Sequence, residues 1–301
     1  MFPRALIDRA RKIAMATPKD LRQQHLKEAM ANKPRRRKIE AVPLSKQAGI
    51  MYNAHLQRMV RHIKRRIDQQ IIPLIRGLEG SYTADSWDDD ITNAFKSEKA
   101  FWESAETASI MERIAGEFVI TANEANRKKF SKSMQSVGLD LFGDSPTLQD
   151  YLGATTKDNV ALIKSIPEQY LQQVERTVMT NMRAGNRPGI IVKQLQERYQ
   201  LTQSRAKLIA RDQTSKINSG LSERRQKAAG FEYFQWIDSS DQRVRSEHVE
   251  FARRQTKYGR GIYRWDDPPK NSKGIPLTPG EDYQCRCTAR PVPSFEIEKS
   301  K

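Results

Sequence analysis

Between residues 52 and 74 the apolar side chains Tyr52, Leu56, Met59, Val60, Ile63, Ile67, Ile71 and Leu74 fall at steps of three and four. A strand repeats every second residue and a helix every 3.6, so this spacing predicts a long amphipathic helix with one apolar stripe. Arg58, Arg61, Lys64 and Arg65 surround the stripe. Pro73 kinks the helix end, and Gly77 with Gly80 closes it. Such a stripe must be covered, and the chain supplies a partner. Trp87, Ile91, Phe95, Trp102, Ala105, Ile114, Phe118, Ala122 and Phe130 recur near the same period, predicting a second long helix from about Trp87 to Val137. "DSWDDD" at its start places acid where a helix N-terminus favours it. The expected result is a helical hairpin or stalk over residues 45–140.

The core available to such helices is lean: 37 % of residues are hydrophobic and 30 % are charged. That balance favours elongated helical parts over a single globule. The formal charge is +17 and unevenly spread. Residues 1–65 hold seventeen Lys and Arg against four Asp and Glu, a local +13, whereas residues 81–150 carry −6. "NKPRRRKIEAVP" (32–43) combines prolines with a basic run, Arg35, Arg36, Arg37 and Lys38, and reads as an exposed arm. Residues 3–32 read as short basic helices, so residues 1–44 form a basic N-terminal arm. Such an arm is drawn to phosphates or to an acidic protein surface. The opening residues interrupt every apolar run with a charge, and no window reaches the apolar length of a membrane helix, so neither a secretory leader nor a membrane partner is expected. Cys285 and Cys287, one residue apart, are poorly placed for an ordinary disulfide with each other.

"GLDLFGDSPTLQDYLGATT" (138–156) is a turn-rich boundary. Beyond it the pattern predicts helices over 156–166 and 167–184, the second with Pro167 at its first position. A short helix starts at Pro188 and stops, and a further helix runs from an N-cap at Thr202 to Ala229, ended by Gly230. "FEYFQWI" (231–237) has strand content. A short helix carrying His248 comes next, then loops and short strands ending at "CRCTARPVPSF". Residues 150–295 are thus expected to be a compact, loop-rich α+β domain with a tail at 296–301. The fold class is α+β, with a mostly helical N-terminal region.

The order of features from 185 to 293 is distinctive. "ARDQTSKINSGLSERRQKAAGFEYFQWIDSSDQRVRSEH" is followed by "YRWDDPP" and then "PGEDYQCRCTARPV". This order resembles the phage Mu F-like head morphogenesis family, the minor head or minor capsid proteins. The positions carrying the resemblance are Ala210, Arg211, Asp212, Thr214, Asn218, Trp236, Asp241, Arg243, Val244, His248, Pro279, Cys285, Arg286 and Cys287. Where many relatives carry Cys-x-x-Cys, this chain has Arg245 and His248. The resemblance implies a minor head protein of a tailed phage. It would bind the portal in the procapsid, with scaffold or major capsid protein as further partners, and act in head assembly, DNA packaging or DNA delivery. It implies a place inside the virion head near the portal, reached from the host cytoplasm. Arg35, Arg36, Arg37, Lys38, Arg58, Arg61, Lys64 and Arg65 are the candidate portal- or DNA-binding residues. Basic side chains release counterions from double-stranded DNA without reading its sequence.

"FQWIDSSDQRVRSEHVEF" (234–251) gathers charges around the last histidine of the chain. Three readings compete. As a zinc-type site it would use Asp241, His248, Cys285 and Cys287, the cysteines sharing one face of a strand. As a nuclease or transferase-type effector centre it would use His248 as base and Arg243 or Arg245 on a phosphate. As a latch it would use Asp241 and Arg243 to lock the turn after the strand, with Arg286 reaching Asp266 or Asp267. No P-loop, Gly-x-Ser-x-Gly or dinucleotide-type turn is present. The latch is the preferred reading, the protein is expected not to be an enzyme, and no cofactor is required.

Overall fold

The computed structural model describes residues 11–14, 19–31, 39–77, 87–142 and 146–298. In chain order the elements are β1 (Arg11–Ala14), α1 (Lys19–Ala31), α2 (Lys46–Gln70), α3 (Ile72–Gly77), α4 (Trp87–Glu103), α5 (Ala105–Ser136), β2 (Leu139–Phe142), α6 (Pro146–Arg183) and α7 (Pro188–Ala228). Then follow β3 (Tyr233–Ile237), α8 (Ser246–Arg253), β4 (Gln255–Thr256), β5 (Gly259–Arg260), β6 (Ile262–Arg264), β7 (Thr288–Val292) and α9 (Ser294–Glu298). The fold is α+β, helical through its N-terminal part and with a small antiparallel sheet in its C-terminal region. The chain packs as two units: Gly49–Phe118 with Thr155–Arg211, and Met1–Ala48 with Val119–Ala154 and Asp212–Lys301.

The first of these is built on the stripe expected from the spacing. Tyr52, Leu56, Val60, Ile63 and Ile67 of α2 are all buried. Tyr52 stacks on Phe118 of α5 at 4.1 Å between ring centroids. Burial pushes the Tyr52 phenol well above its usual pKa. Ser45 caps α2, its Oγ accepting the Ala48 N–H. Glu98 of α4 is buried yet paired: Arg66 donates to both its oxygens at 2.7 and 2.8 Å while lying 3.6 Å over the Phe101 ring. Gln57 donates to the Gln203 carbonyl and Arg205 to Ser165 Oγ, joining α2 and α6 to α7.

Four local expectations are corrected. The helix expected over 87–137 is two, α4 and α5. Ser104 interrupts it by accepting the Thr107 N–H, while Thr107 Oγ1 donates to the Phe101 carbonyl. The pair expected over 156–166 and 167–184 is the single helix α6, with Pro167 inside it. Buried Ile163, Ile166, Tyr170, Leu171 and Val174 on both sides hold the helix through the bond that proline cannot make. The stop before Thr202 is absent, because Thr202 Oγ1 donates back to Arg198 O and stays inside α7. Finally, residues 11–14, expected helical, and 139–142, expected to be turn, are β1 and β2, paired in parallel from Arg11–Leu139 to Ala14–Phe142.

In the other unit, Leu26 of α1, Phe130 and Met134 of α5, Leu139 of β2 and Phe231 form one apolar cluster with Ile39 and Val42. α7 ends as expected at Gly230, whose φ of 92° is the left-handed conformation that favours glycine. The Phe231 N–H closes the turn on the Gln226 carbonyl. β3 then pairs antiparallel with both β6 and β7, giving the order β6-β3-β7. Phe234 and Trp236 point from β3 into a second cluster that includes Phe251, Tyr263, Trp265 and both cysteines. Among the described residues no helix is long and apolar enough to cross a membrane.

Candidate functional site

The site grows from the turn after β3. Asp238 Oδ1 accepts the Ser240 N–H, and Asp241 Oδ1 accepts the Arg243 N–H at 2.9 Å. These two short acids wind the chain into position for α8. In α8, His248 and Phe251 sit one turn apart and are both buried, so the helix turns this face toward the sheet. Trp236 meets the imidazole edge-on at 5.4 Å between centroids.

A closing segment, residues 279–289, lies along the C-terminal half of α7. Asp212, Ser215, Ser219, Ser222 and Gln226 are buried polar residues at steps of three and four, a second stripe of helical period. Asp212 accepts the Gln284 N–H at 2.8 Å. Ser215 Oγ donates to the Cys285 carbonyl, Ser219 Oγ to the Pro279 carbonyl, and Gln226 Nε2 to the Ala289 carbonyl. At Gly280 (φ 93°) a Cβ would come within 3.1 Å of Ser219 Cβ and 3.2 Å of the Cys287 carbonyl, so this approach needs glycine on both counts. Gln284, with φ 56°, turns the chain so that Cys285 and Cys287 reach inward.

The cysteines therefore precede β7, which begins at Thr288, and they converge through a turn instead of the strand alternation expected for them. Cys285 Sγ lies 3.5 Å and Cys287 Sγ 3.7 Å from His248 Nδ1. Asp241, expected as a fourth ligand, is not in this group; it accepts from Arg286 Nη2 at 2.6 Å. The acid beside the histidine is Asp282, with Oδ2 3.3 Å from Nε2. Arg245 holds Asp282 at 3.0 Å and also donates to the Tyr283 carbonyl. Arg286 thus points away from its flanking cysteines as expected, but to Asp241; Asp266 is engaged by Arg264 instead. Arg243 takes part through its backbone N–H, and its side chain is exposed.

The electrostatics follow the contacts. The Arg243 N–H and the Arg286 guanidinium hold the Asp241 carboxyl below its usual range. Hydrogen bonds from Cys287 and His248 lower the Cys285 thiol, whereas the hydrogen bond to Cys285 together with burial pushes Cys287 upward. Burial pulls the His248 imidazole down, and Cys285 with Asp282 outweighs it, so the net shift is upward. Of the groups expected for a catalytic centre, His248 is 2 % exposed and Arg243 faces solvent, whereas Arg245 is linked to the imidazole through Asp282. Of the candidate basic residues, Arg58, Arg61 and Arg65 are exposed on α2 and Lys64 pairs with Asp68, whereas Arg35, Arg36, Arg37 and Lys38 lie outside the described residues.

Residues 172–290 match the family model described as Phage Mu protein F like protein, the stretch that holds α7, the sheet, α8 and the closing segment. This region is Mu F-like. A protein of Haemophilus influenzae (strain Rd), described only as uncharacterized, is 31 % identical over 281 residues, covering 89 % of this chain and 58 % of the relative. The chain therefore spans little more than half that relative's length. No solved structure matches.

The residues that sequence reasoning missed are Asp282, Ser215, Ser219 and Gln226. Their signal was present in part. A helix predicted over 202–229 with small polar residues on one face at helical steps has a face built to receive backbone. Asp282 carried no such signal, because only the fold brings it to the imidazole.

Proposed function

We propose that this chain is a minor head protein of a tailed phage, bound to the portal and acting without catalysis in head assembly, DNA packaging or DNA delivery. The observation that carries this reading is the Mu F-like match over residues 172–290. The charge of the N-terminal fifth supports it. Seventeen basic against four acidic residues over 1–65 suit an acidic portal surface or packaged DNA, the latter held without sequence preference. Exposed Arg58, Arg61 and Arg65 extend that basic character along α2. The role is virion-associated, inside the head near the portal.

The test is gradient fractionation of heads of the phage encoding this chain, with mass spectrometry of the chain against portal. Co-migration at a low fixed ratio to portal is expected. Absence from every head and procapsid fraction overturns the proposal. The DNA contact has its own readout: affinity for duplex DNA should fall steeply and log-linearly with salt, and a flat response removes DNA as a partner.

A further inference from the structure

His248, Cys285 and Cys287 are each 2–3 % exposed, and their ligand atoms lie within 4.8 Å of one another. The two ring-nitrogen-to-sulfur distances are 3.5 and 3.7 Å. A zinc ion bonds thiolate at about 2.3 Å and imidazole at about 2.0 Å, which makes the N···S edge of a tetrahedral site about 3.5 Å. Both distances fall at that edge. We infer that Cys285, Cys287 and Nδ1 of His248 bind one Zn²⁺ ion, with a solvent-derived fourth ligand.

Three observations favour the ion over two thiols that merely fill the core. A cysteine used as a small hydrophobe turns its sulfur to carbon, whereas both sulfurs here lie by one ring nitrogen although the apolar cluster around them offers Trp236, Phe251, Tyr263, Leu277 and Ala289. One nitrogen carries at most one proton, so it cannot make a full hydrogen bond to each thiol, while one ion bonds all three atoms. The charges also close. Two thiolates, their protons released to solvent, offset the dication, and a neutral imidazole adds none, so nothing uncompensated is buried. Thiolate and imidazole donors select zinc over magnesium or calcium.

The surroundings suit the same ion. With Nδ1 on the metal, Nε2 carries the ring proton and lies 3.3 Å from Asp282 Oδ2, near enough for a small rotation to complete the hydrogen bond, and Asp282 is itself held by Arg245. That is the carboxylate–histidine arrangement which orients metal-bound imidazoles. The Cys287 N–H, 3.4 Å from Cys285 Sγ, donates to a thiolate. Asp282 is a positioning residue here. The ion would join α8 to the closing segment and stabilise a region of short strands and long loops.

The test uses the full chain, purified under reducing conditions, stripped with a chelator, and offered one equivalent of Zn²⁺. Native mass spectrometry should show one zinc per chain, and the melting midpoint should rise on zinc addition. The cobalt-loaded protein should show sulfur-to-cobalt charge-transfer absorption. Cys285→Ser with Cys287→Ser should abolish all three signals. Asp282→Asn should keep the fold by circular dichroism and weaken zinc 10- to 100-fold in competition with a chromophoric chelator. Wild-type protein that takes up no zinc and melts identically with zinc or chelator overturns the inference. So does zinc that survives loss of both cysteines.

Discussion

The helical unit and the Mu F-like closing segment solve one problem, covering a helix face, with opposite chemistry. In the first, α2 lays down an apolar stripe that ends in Tyr52 stacked on Phe118. In the second, α7 offers a polar stripe from Asp212 to Gln226 in which Asp212, Ser215, Ser219 and Gln226 bond the backbone of residues 279–289, while Ser222 accepts from Asn126. Apolar burial scales with area and is indifferent to partner orientation. A hydrogen bond to one named carbonyl specifies where the chain lies but adds little net stability, about 1 kcal/mol each. The helical unit should therefore lose global stability when a stripe residue is truncated. The closing segment should lose its position first.

The strongest way to break that contrast is Phe118→Ala. The side chain is wholly buried, and truncation should cost about 3–5 kcal/mol, read by denaturant unfolding. A loss below about 1 kcal/mol would place the helical unit in the same class as the closing segment. Gln226→Ala sharpens the contrast from the other side. It should cost about 1–3 kcal/mol and, more tellingly, speed amide exchange around Ala289 before the helices respond. Uniformly faster exchange across the chain would mean that the polar stripe carries global stability after all.

The same contrast explains what could be read in the sequence. Periodicity averages over many residues, so the α2 stripe, the end of α7 at Gly230, β3 and the helix bearing His248 were all legible. Helix boundaries hang on single side chains. Ser104 ends a helix by accepting one N–H, and Thr202 fails to start one because its hydroxyl turns back to Arg198. In the candidate site, the convergence of Cys285 and Cys287 on His248 was legible as chemistry but not as geometry. Left-handed Gln284, not strand alternation, produces it. Asp282 was invisible because residues 34 apart in sequence meet only through the fold. The same applies to Arg286, whose partner proved to be Asp241 and not Asp266 or Asp267.

The smallest expected effect concerns that pair. Asp241 and Arg286 bond at 2.6 Å but remain partly exposed, so solvent screening leaves them little weight in global stability. Asp241 also accepts the Arg243 N–H, which gives it a local task that the guanidinium only assists. Asp241→Ala should leave the melting midpoint nearly unchanged while hastening exchange of the Arg243 and Val244 amides. Arg243→Ala, which keeps its backbone N–H, should leave both the melting midpoint and the exchange of those amides unchanged. The pH dependence follows from the lowered Asp241 carboxyl: its contribution is present above the usual aspartate value of about 3.9 and is lost as pH falls through the lower folded value. Exchange at those two amides, corrected for its intrinsic pH dependence, should thus be flat from neutral pH down to about 5 and accelerate only in stronger acid. A large fall in melting midpoint for Asp241→Ala would make this turn a true fold-holding latch and move the Mu F-like region toward the energetics of the helical unit.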